Sequence, residues 1–166
     1  MTLEELLARE AIRDTLAKYT TSGDRLKAED FAACFTEDGI IESERVSGAQ
    51  TFRYEGRKAI LEWQNRWRSS PDADADADAD AAAATVHAAT FVRHHLSTSK
   101  IDLTEADTAR ARTYWAAWTD IGPDHAGYYL DAFRKVGGEW LIAHRRIRLD
   151  WTAEGSLFAN AVQNTR

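Results

Sequence analysis

From about Val86 to Trp151 the chain consists almost wholly of strand-like runs, and this pattern constrains the fold more than any other feature. Four runs stand out: about Val86 to Leu103, Thr108 to Asp120, Ala126 to Val136, and Glu139 to Trp151. They are separated by Glu105-Ala-Asp107, Gly122-Pro-Asp124 and Gly137-Gly138. Gly-Gly supplies the positive φ that a two-residue hairpin turn requires, so an antiparallel meander is expected. Central strands of this length are expected to carry bulges and curl over whatever covers one face.

That cover is expected from the first half. Thr2 with Glu5 three residues later has the form of a capping box. Leu3, Leu6, Leu7, Ile12, Leu16 and Tyr19 follow at helical spacing, and Ser22-Gly23 is the expected stop. A short second helix is expected over about Ala28 to Phe35, with Phe31, Cys34 and Phe35 inward and Glu37-Asp38-Gly39 as a turn. Ile40-Ile41-Glu42 begins a strand whose hairpin partner is Thr51 to Tyr54. After Gly56 a third helix carries Ile60, Leu61, Trp63 and Trp67, ending before Ser69-Ser70-Pro71. Helices followed by a meander spell an α+β fold. A length of 166 residues suits one domain spanning 1–166, large enough to bury a core without staples.

Residues 71–84 carry an Asp-Ala repeat. Both residue types are depleted in strands and the carboxylates repel one another. A solvated low-complexity loop is expected, with helix possible in its Ala-rich half.

Several function classes are disfavoured. The formal charge is −6, whereas a nucleic-acid backbone demands clustered Lys and Arg. One cysteine, Cys34, permits no intrachain disulfide, and its apolar neighbours suggest an inert thiol. No basic, apolar leader or membrane-length apolar run is present, so a cytoplasmic protein is expected. No phosphate loop, nucleophile elbow or dinucleotide fingerprint occurs, and no nucleotide, flavin or haem is expected. The five histidines show no metal-ligand spacing, so no metal is expected either.

The order of several short features resembles the SnoaL-like family of the nuclear-transport-factor-2-like superfamily. They are Ala11-Ile-Arg-Asp14, Tyr19, Asp24, Phe31 and Phe35-Thr-Glu-Asp38-Gly39 in the first part. Tyr54-Glu-Gly56-Arg57 opens the third helix, and Arg93-His94-His95-Leu-Ser97 follows the Asp-Ala segment. Gly127-Tyr-Tyr129-Leu-Asp131, Gly138-Glu-Trp140 and Arg145-Arg146-Ile-Arg-Leu-Asp150 complete the series. The resemblance implies a cone: a curved mixed sheet, mostly antiparallel, wrapped over three helices with a ligand pocket beneath. The family includes polyketide cyclases, isomerases, dehydratases, dehydrochlorinases, binding-only members and the small subunits of ring-hydroxylating dioxygenases, so fold alone does not fix the reaction.

In the dehydratase and dehydrochlorinase branches an Asp after the first helix pairs with a His on a central strand. The resemblance implies Asp24 and His95 for these positions, with Tyr19 as a pocket tyrosine and third catalytic candidate, donating a hydrogen bond to the substrate oxygen or leaving group. An imidazole oriented by a carboxylate is a general base at neutral pH, suited to removing a proton beside a carbonyl. Asp24 can equally cap local structure, and periodicity alone does not decide between His94 and His95, which face opposite sides of a strand. Tyr54, Trp63, Tyr114 and Tyr129 are candidates to shape the pocket, and Arg146 to hold a substrate carboxylate. The expected activity is a cofactor-independent lyase or isomerase acting on a small hydrophobic carbonyl compound. The alternative is a non-catalytic binding protein or a dioxygenase small subunit needing a large iron-bearing partner. By analogy with the family, a homodimer or homotrimer is expected.

Overall fold

Thr2 and Glu5 form the reciprocal cap: the Thr2 hydroxyl accepts from the Glu5 amide at 3.1 Å, and the Glu5 carboxylate accepts from the Thr2 amide at 2.8 Å. They start α1 (Leu3–Asp24) in a computed structural model that describes residues 1–45, 50–66 and 89–157. Trp67 and the Asp-Ala segment lie outside the described residues. Leu3, Leu6 and Leu7 are exposed, since core packing along α1 begins only at Ala8 and Ile12. The helix closes with Lys27 N–H donating to Ser22 O at 2.9 Å and Leu26 N–H to Gly23 O at 3.0 Å. This is a Schellman turn, a motif that wants glycine at its left-handed position. Here Leu26 sits there, at φ 53°.

α2 (Ala28–Ala32) is shorter than its sequence suggests, because Phe35 already belongs to β1 (Phe35–Arg45). The Glu37-Asp38-Gly39 stretch is an irregularity inside β1 rather than a turn between elements; pairing with the last strand shifts register between Phe35 and Ile40. A Cβ on Gly39 would lie 2.9 Å from Thr36 O, so the chain folds tightly here only because that residue has no side chain. β2 (Gln50–Glu55) pairs antiparallel with β1, Ile41 opposite Tyr54. α3 (Arg57–Arg66) follows, then β3 (Arg93–Glu105), β4 (Thr108–Thr119), β5 (Gly122–Val136) and β6 (Glu139–Thr152). Gly122-Pro-Asp124, expected as a separator, starts β5. Gly137 and Gly138, at φ 59° and 91°, make the expected tight turn.

The six strands form one mixed sheet in the order β2-β1-β6-β5-β4-β3, with β1 parallel to β6 and all other pairs antiparallel. The sheet is curved and unclosed, with the helices in the N-terminal half. Ile12, Leu16, Phe31, Phe35, Ile60, Trp115, Phe133 and Ile142 share one core between helices and inner face. No helix among the described residues is long and apolar enough to cross a membrane.

Candidate active site

Asp24 is the last residue of α1. A carboxylate there opposes the helix dipole, so it requires strong donors. It finds them on β3. His94 Nδ1 lies 2.6 Å from Asp24 Oδ1, and the His94 backbone N–H donates to Asp24 Oδ2 at 2.9 Å. The Asp24 side chain is 7% exposed and that of His94 26%, so the carboxylate is covered while the imidazole remains accessible. Facing a carboxylate at Nδ1, the neutral ring presents Nε2 as its basic nitrogen.

The histidine that meets Asp24 is His94, not His95. Both begin the edge strand, but His95 is exposed on the outer face, edge-on to Trp118 at 6.1 Å. A bulge between Leu96 and Ser99 inverts the alternation of β3, so His94 points to the same face as buried Ile101.

Arg146 is displaced in the same way. Register between β5 and β6 shifts where Phe133 faces Ile142 and Ala132 faces His144. Beyond this bulge, Arg145 points inward and Arg146 outward, pairing with Glu42 at 3.2 Å and Glu44 at 3.3 Å. Arg145 is fully buried and donates to both oxygens of Asp131, Nε at 2.8 Å and Nη2 at 2.7 Å. Its guanidinium lies over the rings of Tyr19 and Tyr129, 3.9 and 4.1 Å from their centroids. Burial works against the charge, but Asp131 outweighs it and raises the arginine pKa.

Tyr19 lies deep in this cluster, against Phe31 and Tyr129. Burial raises its pKa, with the Arg145 charge opposing. Among the described residues no hydrogen bond joins Tyr19 to Asp24 or His94. Tyr129 is on the inner face, stacked on Trp115 at 5.6 Å. Tyr54 and Trp63 stack on each other at 5.3 Å, and Trp63 continues through Phe31 to Tyr19. Tyr114 does not reach the interior: it is 45% exposed on the outer face, beside Tyr128 and Arg112. Cys34 is buried, and burial pushes its thiol up to about 11.

Asp124 and His125 form a second His–Asp pair, which no motif in the sequence marks. His125 Nδ1 lies 2.7 Å from Oδ1 of Asp124, which is fully buried. Thr119 Oγ1, Ser156 Oγ and the Leu157 N–H also donate to that carboxylate. Burial raises the Asp124 pKa, but the hydrogen bonds from Ser156, Leu157 and His125 outweigh it and hold it below the ordinary value. The His125 ring is 5.8 Å from that of His94 and 5.4 Å from Trp115. The surface depression lined by Arg25, Leu26, Lys27, Glu29 and Asp30 contains none of these groups. No cluster of three or more metal-binding side chains occurs among the described residues.

A curved mixed sheet over N-terminal helices, with ionisable groups gathered on its concave side, defines the α+β class of the cystatin-like fold. The solved structures similar to this chain share it. One is a scytalone-dehydratase-like protein from Novosphingobium aromaticivorans, 24% identical, covering 92% of this chain and 91% of its own at TM-score 0.68. Another is the beta subunit assigned to an aromatic-ring-hydroxylating dioxygenase of that organism, 19% identical, covering 94% and 97% at TM-score 0.70. A third is a hexachlorocyclohexane dehydrochlorinase from Novosphingobium barchaimii, 16% identical, covering 91% and 92% at TM-score 0.64. At these identities the likeness is one of fold. No curated protein matches the chain. It belongs to the SnoaL-like domain family, which matches residues 4–146.

Proposed function

We propose that this protein is a lyase or isomerase that acts on a small hydrophobic carbonyl compound, using His94 as general base and Asp24 as the group that orients it. The carrying observation is the 2.6 Å contact between His94 Nδ1 and Asp24 Oδ1. A carboxylate at that nitrogen fixes the tautomer and stabilises the imidazolium formed when the ring takes a proton. Trp115 stands edge-on to His94 and Tyr129 stacks on Trp115; such aromatic surroundings suit an apolar substrate and strengthen the dyad by excluding water. The protein's own imidazole and carboxylate supply everything that proton abstraction next to a carbonyl requires.

The test is a panel of cyclic and aromatic β-hydroxy carbonyl compounds, followed by the absorbance of the conjugated product. His94→Ala and Asp24→Asn are each expected to reduce turnover by about 10²–10⁴-fold, the usual range for a positioned general base. Turnover unchanged by His94→Ala would refute the dyad.

A self-association surface belongs to the same reading. Tyr114, Trp118 and Trp151 are exposed on the outer face, and aromatic residues are favoured anchors at interfaces. A homodimer or homotrimer through this face is the proposed state. A large iron-bearing chain that co-purifies in fixed ratio would replace it with the dioxygenase-subunit reading.

A further inference from the structure

Trp115 lies on the concave face of β4, 5% exposed, and its Nε1–H has no hydrogen-bond partner among the described residues. Its ring stacks on Tyr129 with centroids 5.6 Å apart and stands edge-on to His94 at 5.8 Å. A Cβ on its register partner Gly127 would come within 3.1 Å of Cζ2, so that rim of the indole rests on the bare backbone of β5. The ring is fixed in this way, and its one polar atom with it. Arg145 Nη1 and Thr36 Oγ1 lack partners too; of the three, Trp115 is the one that stands against the proposed base. Buried donors are as a rule paired, and one left over costs free energy unless an acceptor arrives.

We propose that the Trp115 indole N–H is the donor that receives the substrate's carbonyl oxygen as negative charge develops on it. This deepens the proposed function and rests on it for the reaction class. His94 Nε2 takes the proton next to the carbonyl. The C–H electron pair becomes a C=C bond, and the carbonyl π pair moves onto oxygen to give an enolate. The indole holds that oxygen by a hydrogen bond and keeps its own proton. His94 then returns the proton it took, and the oxygen regains its double bond. In an elimination the proton goes to the departing hydroxide, which leaves as water; in an isomerisation it goes to another carbon.

An indole N–H donates and cannot accept, and in apolar surroundings its bond strengthens as the oxygen gains charge. Tyr19, the donor that the family resemblance implies, instead lies against the Arg145 guanidinium, whose carbon is 3.9 Å from its ring centroid.

The first experiment needs no substrate. Pentafluorophenolate carries an oxyanion on a flat apolar ring, as a cyclic enolate does, and hexafluorobenzene is a like ring without it. In ¹⁵N-tryptophan-labelled full-length protein, with its six tryptophans, the Trp115 indole signal is the one missing from Trp115→Phe. Pentafluorophenolate is expected to move it downfield and hexafluorobenzene to leave it in place. Trp115→Phe is expected to bind the phenolate about tenfold more weakly and hexafluorobenzene equally well. A wild-type indole signal that stays put up to millimolar pentafluorophenolate, or that moves alike with both compounds, overturns the proposal. Once the panel above yields a substrate, Trp115→Phe is expected to lower kcat about 100-fold with KM nearly unchanged. A retained kcat overturns the donor even where His94→Ala abolishes turnover. If His94→Ala changes nothing while the indole signal still answers the phenolate, the base is wrong and the donor stands.

Discussion

The two faces of the sheet carry similar residues under opposite conditions. On the concave face Arg145 is sealed against Asp131 and two tyrosine rings, and His94 is held by one carboxylate. On the convex face Arg146 is 42% exposed and shares Glu42 with Arg53 and His144. His95, one residue from His94, lies exposed beside Trp118. Identical side chains thus differ in consequence because of the direction in which the pleat aims them. Inside, an ionisable group depends on a dedicated partner; outside, water and neighbouring charges share the task.

The strongest way to break this contrast is at the histidines. His95→Ala should leave turnover within about twofold of wild type, against the orders of magnitude expected for His94→Ala; equal losses would dissolve the distinction. Next comes stability. Asp131→Ala strands the Arg145 charge in the core and should cost about 3–5 kcal/mol, whereas Arg146→Ala should cost less than about 1 kcal/mol. Urea denaturation of both variants measures the difference, and comparable values would mean that the inner pair is not a sealed one.

Acid sharpens the comparison further. Because burial and His94 hold the folded His125 pKa below its ordinary 6.5, the unfolded chain takes up a proton there first. Stability should therefore fall as pH drops from 6.5 toward the folded value. Asp124, held below its ordinary 3.8, keeps its contribution until pH falls below that value. Urea midpoints at pH 7.5, 6.5 and 5.5 should decline in the wild type and flatten in His125→Gln; a flat wild-type series would show that the inner histidine is not desolvated. The smallest expected effect is local. Leu26→Gly relieves the left-handed position after Asp24 and should add about 1 kcal/mol or less, read as a rise in melting temperature.

Much of this architecture is legible in the amino-acid order. Thr2 and Glu5, the Gly137-Gly138 turn and the hairpin that joins Ile40-Ile41-Glu42 to Thr51–Tyr54 all follow from local rules. The site is less so, because its residues depend on parity along bulged strands. Counting back from inward-facing Ile101 along a regular strand puts His95 inside; the bulge before Ser99 puts His94 there. The extra residue near Ala143 inverts Arg145 and Arg146 in the same manner. Tyr114 and Trp115 are adjacent aromatics, and nothing local says which one enters the core. Asp124 and His125 follow Gly122-Pro123, a sequence with the character of a turn, yet in β5 both are buried. Bulges shift by one position what the alternation of residue types would otherwise settle.

The parallel contact between β1 and β6 also has a bearing on how the molecule is made. Glu42 and His144 meet across a separation of 102 residues, and no turn can bring them together early. During synthesis the N-terminal helices and the β1–β2 hairpin emerge long before the strand that anchors them to the meander. Such distant pairing slows folding and leaves an unpaired edge open to other chains meanwhile. A ribosome-bound chain halted before Glu139 should therefore keep β1 sensitive to protease, and release of the last strand should be the event that seals it.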